Sequence, residues 1–374
     1  MPITKVDLLL IGGGHAHVAV LADWIRRGLP AERAALLTPS PSLRYSGMVP
    51  GWIAGEYDRD DGLVDLAALA RRAGAELLID RCIAIEPDER RVQTASGAPI
   101  DFGVASINAG GVGRAQAVLG SDPRLLDARP IEGLVEQLDN WLTENESRGG
   151  HIAVVGGGAG GVELTFGLRN ATRTSDGSQV TLLTGGDGLL PDFAEATRRR
   201  VRDELIAQKV ALVEGEATLR AGSLVADGQP LLPPDLIIAA LGSSAPQWAR
   251  ESRLAVDSEG FILVDQFQRS TSHPHVFAGG DIASRHDLKL VRSGVHAVHT
   301  GKVLAANLRA VVAGKTPQRT YRPRQSSLYL ISTGNGSAIA SYGSVAAQGR
   351  WVNQLKRWID KRWIASYAQI SKAT

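Results

Sequence analysis

The chain has 374 residues, 44% of them hydrophobic and 21% charged, with a formal net charge of +2. That length allows two or three domains with substantial cores, and so small a net charge gives no reason to expect a nucleic-acid partner. A single cysteine, Cys82, excludes a disulfide within the chain, argues against a cysteine-based metal site and points to a reducing compartment. No run reaches the roughly 20 apolar residues that span a bilayer. The N-terminus lacks the basic start and cleavage site of a signal peptide, so a cytoplasmic or cytosol-facing protein is expected.

The first patterned stretch is LLIGGGHAHV, residues 9–18. An apolar strand (8–11) runs into glycines at Gly12 and Gly14, a helix-compatible run follows (18–27), and AALLT (34–38) reads as a second strand. This is the strand–turn–helix–strand layout that seats a nucleotide pyrophosphate on a helix N-terminus. Two features depart from its ideal. His17 occupies the position of the third glycine, so the helix must tilt away or the ring must point outward. Thr38 stands where an acid would hold the ribose hydroxyls. His15 and His17, two apart on a helix, face different directions and do not suit a metal. They are expected to pack near or hydrogen-bond a cofactor, or else to form a surface pair.

YSGMVPGWIAGEY (45–57) carries three glycines, and DRCIAIEPD (80–88) reads as a buried strand with Cys82 in core packing. Residues 90–111 read as strand, turn and strand into a glycine turn at Ala109–Gly111. HIAVVGGGAGGVEL (151–164) then repeats the opening layout: Gly156, Gly158 and Gly161 align with Gly12, Gly14 and His17. Its second strand, VTLLT (180–184), again ends on a threonine, Thr184, with Asp187 shortly after. Two such units in one chain predict two nucleotide-binding subdomains. A strand-to-glycine ending recurs at 234–246 with Gly242. HVFAGGDIAS (275–284) joins a strand to Gly280 and Asp281, and a helix is expected over 294–310.

SLYLISTGNGSAIASYG (327–343) predicts a β-hairpin. Over 350–370 a helical plot places Trp351, Val352, Leu355, Trp358, Ile359, Trp363 and Tyr367 on one face, with Lys356 and Arg362 intruding on it. Arg350, Arg357, Asp360 and Lys361 fall on the other. Residues 350–363 hold five Lys or Arg against one Asp. Such a helix suits a membrane interface, the body of the protein or a second copy in a homodimer.

Together these segments resemble the two-dinucleotide flavoproteins of the pyridine nucleotide-disulfide oxidoreductase superfamily. The segments 45–57 and 349–363 resemble its type II NADH dehydrogenase branch. GGGHAH with YSGM resembles a subgroup associated with selenide water dikinase, in which a histidine at position 17 is expected. The resemblance implies an α/β fold of two Rossmann-like domains (three-layer ββα, glutathione reductase-like) with a C-terminal hairpin and amphipathic helix. The corresponding divisions are 1–118 and 257–320 for FAD, 119–256 for NAD(P)H, and 321–374 for the C-terminal part.

By the same resemblance, the first turn holds FAD and the second NADH or NADPH, and Asp281 meets the flavin ribitol. Ser46 and Gly47 open a segment along the flavin ring, and Val295 stands in the helix start that faces the flavin. Ala109, Gly110, Gly242 and Gly280 are the remaining cofactor-facing turns. Glu163 is expected beside the nicotinamide, with a helix-dipole carboxylate as the plainer reading. His296 and His299, three apart, share a face and can relay protons. The lone cysteine excludes branches that need a redox pair. Three functions stay open: an NAD(P)H:quinone oxidoreductase, a soluble reductase serving selenium metabolism, and a flavoprotein that senses redox state without turnover.

Overall fold

The computed structural model describes residues 4–145, 150–171, 178–220, 222–290, 294–323 and 326–372. In chain order the first unit comprises β1 (Thr4–Ile11), α1 (His15–Arg27), β2 (Ala34–Thr38), α2 (Val49–Ile53), α3 (Leu66–Ala73), β3 (Glu76–Ile79), β4 (Cys82–Glu86), β5 (Arg91–Thr94) and β6 (Ile100–Ile107). Next come β7 (Leu125–Asp127), α4 (Ile131–Glu144), β8 (His151–Val155), α5 (Ala159–Arg169), β9 (Gln179–Leu183), α6 (Glu195–Ala207), β10 (Ala211–Val213), the hairpin β11 (Ala217–Arg220) and β12 (Ser223–Ala226), and β13 (Leu236–Ala239). The last part holds β14 (Val276–Ala278), α7 (Gly294–Val312), β15 (Tyr329–Ser332), β16 (Ala338–Tyr342), β17 (Val345–Gly349) and α8 (Arg350–Lys372).

Two parallel sheets carry the two glycine turns. One is ordered β3-β2-β1-β6-β5-β4, with β14 paired to β6; its β4 and β5 are antiparallel additions at one edge. The other is ordered β10-β9-β8-β13-β7 and is parallel throughout. The central strand β8 is buried throughout and β1 is buried from Leu8 to Ile11, which is why these stretches read as apolar runs rather than alternations. Each enters its turn at the carboxyl edge of the sheet, where α/β proteins build their ligand crevices.

Cys82 is partly buried at a shifted register in β4 rather than fully inside, and burial raises its thiol to about 12. The hairpin expected over 327–343 gains a third strand, β17, which pairs with β16 and leads into α8.

The packing of α8 corrects the expected division of its faces. Val352, Asn353, Lys356 and Asp360 are buried, with Trp363, Ile364 and Tyr367 continuing the contact against the two cores. Trp351 and Trp358 are 56% and 58% exposed. The helical plot puts Lys356 on the apolar stripe as an intruder and Asp360 on the opposite face, yet both are buried. Here Lys356 has two carboxylates and a carbonyl waiting within the fold, so the stripe rotates and two tryptophans are left in solvent.

Candidate functional site

The two turns have nearly the same backbone. Gly14 has φ −71° and ψ 172°, and Gly158 has φ −73° and ψ 171°. The Gly12 N–H donates to the Leu37 carbonyl at 2.8 Å, and the Gly156 N–H donates to the Leu183 carbonyl at 2.7 Å. Gly12 must be glycine: its φ is +91°, and a Cβ there would stand 2.5 Å from the Asn108 carbonyl.

What differs is the wall behind each turn. In the second, a Cβ on Gly161 would stand 2.0 Å from the Gly156 carbonyl, with the small Ala240 beside it. In the first, the corresponding places hold His17 and Asn108. Of the alternatives at position 17, the outward ring and the surface pair are excluded, because His17 is fully buried. Its Nδ1–H donates to the Gly12 carbonyl at 2.6 Å, and its Nε2 accepts from the Ser106 hydroxyl at 2.9 Å. Burial drives its pKa down to about 4, so the ring is neutral, with both nitrogens engaged. His17 therefore supports the turn from behind and leaves the cup itself to the backbone.

Asn108 is the residue that sequence reasoning missed. Its Oδ1 accepts from the Ala16 amide at 2.9 Å and the His17 amide at 3.3 Å, capping α1 from outside the helix. Its Nδ2 donates to the Gly279 carbonyl at 2.6 Å, tying the first turn to the segment that carries Gly280 and Asp281. Its position at the end of β6, immediately before the AGG turn, was the available signal. An asparagine there has no reason in propensity and needs a partner.

Ala109 lies against Gly12, and Gly13 is wedged between Leu66 and Thr38, whose hydroxyl donates to the Ser40 carbonyl. Gly110 and Gly242 both have positive φ, and the loops that contain them meet through a two-way backbone bridge between Val112 and Ser244. Thr184 is buried against Gly157. A Cβ on Gly158 would meet nothing within 4 Å. Protein packing therefore does not demand glycine there, but a close-lying pyrophosphate would.

Asp281 forms an ion pair with Arg129 at 2.9 Å. His15 stands close enough to both for their charges to act on it, although burial dominates and lowers its pKa to about 4. The His15 ring packs on Tyr45 and on Trp363 of α8, with centroids 5.6 and 5.2 Å away, and its Nε2 is buried without a partner among the described residues. Tyr45 and Trp363 stack at 4.7 Å. An orphaned ring nitrogen, a glycine cradle and a helix N-terminus together suit a dinucleotide such as FAD.

His296 accepts at Nδ1 from the Tyr321 hydroxyl at 2.5 Å, burial having pushed that phenol up to about 12. Burial, with the neighbouring His299 next, lowers the His296 pKa, while Asp281 acts the other way. His299 is exposed, and Val295 lies in the same first turn of α7. Thus Asp281, His15 and His296 converge, while His299 borders them from outside.

Ser46 is exposed and Gly47 half-buried. Of the stretch expected along the flavin, Ser46–Gly51, residues from Met48 onward are buried, and α2 presses on α5, with the Pro50 carbonyl at Gly167. Glu163 is also not at the surface. Its Oε1 accepts from the Ser332 amide at 2.9 Å and lies 3.5 Å from Lys356 Nζ. Lys356 in turn donates to the Gly47 carbonyl at 3.2 Å and lies 3.5 Å from Asp360. Burial raises the pKa of both carboxyls against the pull of Lys356. Burial alone would lower that of Lys356, but the two carboxylates outweigh it and hold the ammonium above its ordinary value. Helix α8 thus touches the first turn through Trp363 and the helix after the second turn through Lys356.

Two glycine cups on two parallel sheets, with a shared C-terminal element across them, define a two-dinucleotide oxidoreductase architecture. Residues 6–301 match the pyridine nucleotide-disulphide oxidoreductase family, and the chain belongs to it. Its cofactors are accordingly FAD and a nicotinamide dinucleotide. Among curated proteins, the chain is 30% identical over 243 residues to the biphenyl dioxygenase system ferredoxin–NAD(+) reductase component of Paraburkholderia xenovorans, covering 62% of this chain and 56% of that one. It is 30% identical over 207 residues to the type II NADH:quinone oxidoreductase of Haemophilus influenzae, covering 51% and 46%. The chain thus spans about half the length of these two relatives. The sulfide:quinone oxidoreductase of Aquifex aeolicus has the same fold, with a TM-score of 0.79 over 98% of this chain and 92% of that one at 16% identity.

Proposed function

We propose that the chain is an FAD-dependent NAD(P)H oxidoreductase that passes electrons to a quinone-type acceptor at a membrane surface. Bound FAD would supply the two-electron chemistry, accepting a hydride and passing electrons on. The chain's own residues have three tasks. The Gly12–Gly14 backbone and the α1 N-terminus hold one dinucleotide, with Asp281 available to sugar hydroxyls. The Gly156–Gly158 turn and α5 hold the other. His296, hydrogen-bonded to Tyr321, keeps a neutral imidazole beside Asp281, able to take up a proton and release it.

The observation that carries the acceptor assignment is the outer face of α8. Trp351 and Trp358 are exposed there, Arg362 lies over the Trp358 ring at 5.2 Å, and Arg350 and Lys361 lie in solvent. Indole and basic side chains together suit the headgroup region of an anionic bilayer, and the inner face of the same helix reaches Gly47 and Glu163. Among the described residues no helix is long and apolar enough to cross a membrane. The names of the curated relatives supply both acceptor classes, ferredoxin and quinone.

The reduced holoprotein, mixed in a stopped-flow cell with a soluble quinone or with an oxidised ferredoxin, decides between them. Reoxidation by quinone, accelerated by anionic vesicles carrying a lipid quinone, supports the proposal. Reoxidation only by ferredoxin contradicts it. Reoxidation by neither returns the choice to the selenium-linked reductase or the redox sensor.

A further inference from the structure

We propose that Glu216 selects the nicotinamide cofactor, its carboxylate engaging the adenosine ribose hydroxyls and rejecting a 2′-phosphate, so that the chain takes NADH. This rests on reading the second glycine turn as the seat of that dinucleotide.

In a Rossmann unit the acid that binds the ribose stands at the end of the second strand. At that place this chain has Thr184, which is buried and packed on Gly157. The carboxylate arrives instead from the neighbouring strand. Gly185 and Gly215 form an isolated backbone bridge that brings the end of β10 against the loop after β9. Glu216 Oε1 then accepts the Gly186 N–H at 3.0 Å.

The arrangement is specified on both sides. A Cβ on Gly186 would stand 2.9 Å from Glu216 Oε1, so glycine leaves the carboxylate its seat. The Glu216 amide donates to Asp227 Oδ1 at 2.8 Å, and the Asp227 amide donates back to the Glu216 carbonyl at 3.1 Å. Gly215, with φ +145°, would place a Cβ 2.5 Å from Asp227 Oδ2, so only glycine permits that approach. One carboxylate oxygen is held by the backbone, and the other remains for a vicinal diol.

A 2′-phosphate arriving here would meet the negative charges of Glu216 and exposed Asp187. Arg202, which a phosphate would want, is paired with Glu214 at 2.8 Å. Like charges brought together disfavour the phosphorylated ligand, while hydrogen bonds to the hydroxyls favour the unphosphorylated one.

The test uses the purified FAD-loaded protein and calorimetric binding of two fragments, ADP-ribose and 2′-phospho-ADP-ribose, so no turnover is needed. Wild type is expected to favour ADP-ribose by at least about tenfold, and Glu216→Gln to bring the ratio below about threefold. Glutamine keeps an oxygen for the Gly186 N–H, and an unchanged melting temperature confirms that the loop is intact. Asp187→Asn is expected to leave most of the preference. Equal binding by wild type, a preference for the phosphorylated fragment, or a preference that survives Glu216→Gln overturns the inference. Binding of neither fragment overturns the nicotinamide reading of the second turn, and this inference with it.

Discussion

Lys356 Nζ stands 3.5 Å from Glu163 Oε1, joining the last helix of the chain to the helix that leaves the second glycine turn. With Asp360 at the same distance from the ammonium, one cation faces two carboxyls in a region where Lys356 is 8% and Asp360 3% exposed. Buried charges tolerate the loss of a partner poorly. Lys356→Met should therefore cost about 3–5 kcal/mol at pH 7. The loss should shrink toward pH 5, because protonation neutralises the carboxyls left behind. Urea unfolding at the two pH values checks this; an equal loss at both would mean that charge is not the cause.

Asn108 makes a second prediction, on cofactor retention. Asn108→Ala removes the cap on Ala16 and His17 and leaves the Gly279 carbonyl without its donor. A loss of about 1–3 kcal/mol in stability is expected, together with faster release of flavin on dialysis. Asn108→Asp keeps the cap but sets a buried carboxylate oxygen against the Gly279 carbonyl, so it should lose at least as much as alanine. Flavin retention unchanged by alanine would show that the bond to Gly279 does not shape the first cup.

His17 carries a pH signature. Its pKa falls from the ordinary 6.5 to about 4 in the folded chain. Between those values the unfolded state binds more protons, so the contribution of His17 is present above pH 6.5 and is lost as pH falls toward 4. The raised carboxyls of Glu163 and Asp360 slope the other way, stabilising the fold more as pH falls. The comparison must therefore be wild type against His17→Gln. The difference in unfolding free energy should grow from pH 4 to pH 7 by up to about 3 kcal/mol; a flat difference would contradict the buried neutral ring.

The outer tryptophans test the membrane surface. Replacing Trp351 and Trp358 together by serine should abolish flotation with anionic vesicles while sparing reduction of a soluble quinone. Both rings are more than half exposed, so the fold should be little affected. Flotation that persists, or wild-type protein that never floats, would leave α8 without the proposed role.

Much of this architecture can be read from the sequence, for a physical reason. A pyrophosphate cup requires glycines at fixed spacing after an apolar strand, and the chain writes that pattern twice. The strands at 34–38 and 276–278 and the long final helix are similarly explicit. What the sequence hides is pairwise and long-range. His17 looks like a defect until Ser106, distant in the chain, supplies its second hydrogen bond. The periodicity of α8 leaves Lys356 as an unexplained intruder on the apolar face and assigns Asp360 to the polar one, because no helical plot can see Glu163. Glu216 is invisible for the same reason: its relation to Gly186 exists only once β9 and β10 lie side by side.

The account depends most on flavin and nicotinamide sharing one chain. Anaerobic absorbance titration of the purified protein with NADH addresses that directly. A yellow protein whose flavin band near 450 nm bleaches with about one equivalent of NADH is the predicted result. A colourless protein that takes up no FAD, or a flavin band that NADH and NADPH both leave unchanged, would contradict it.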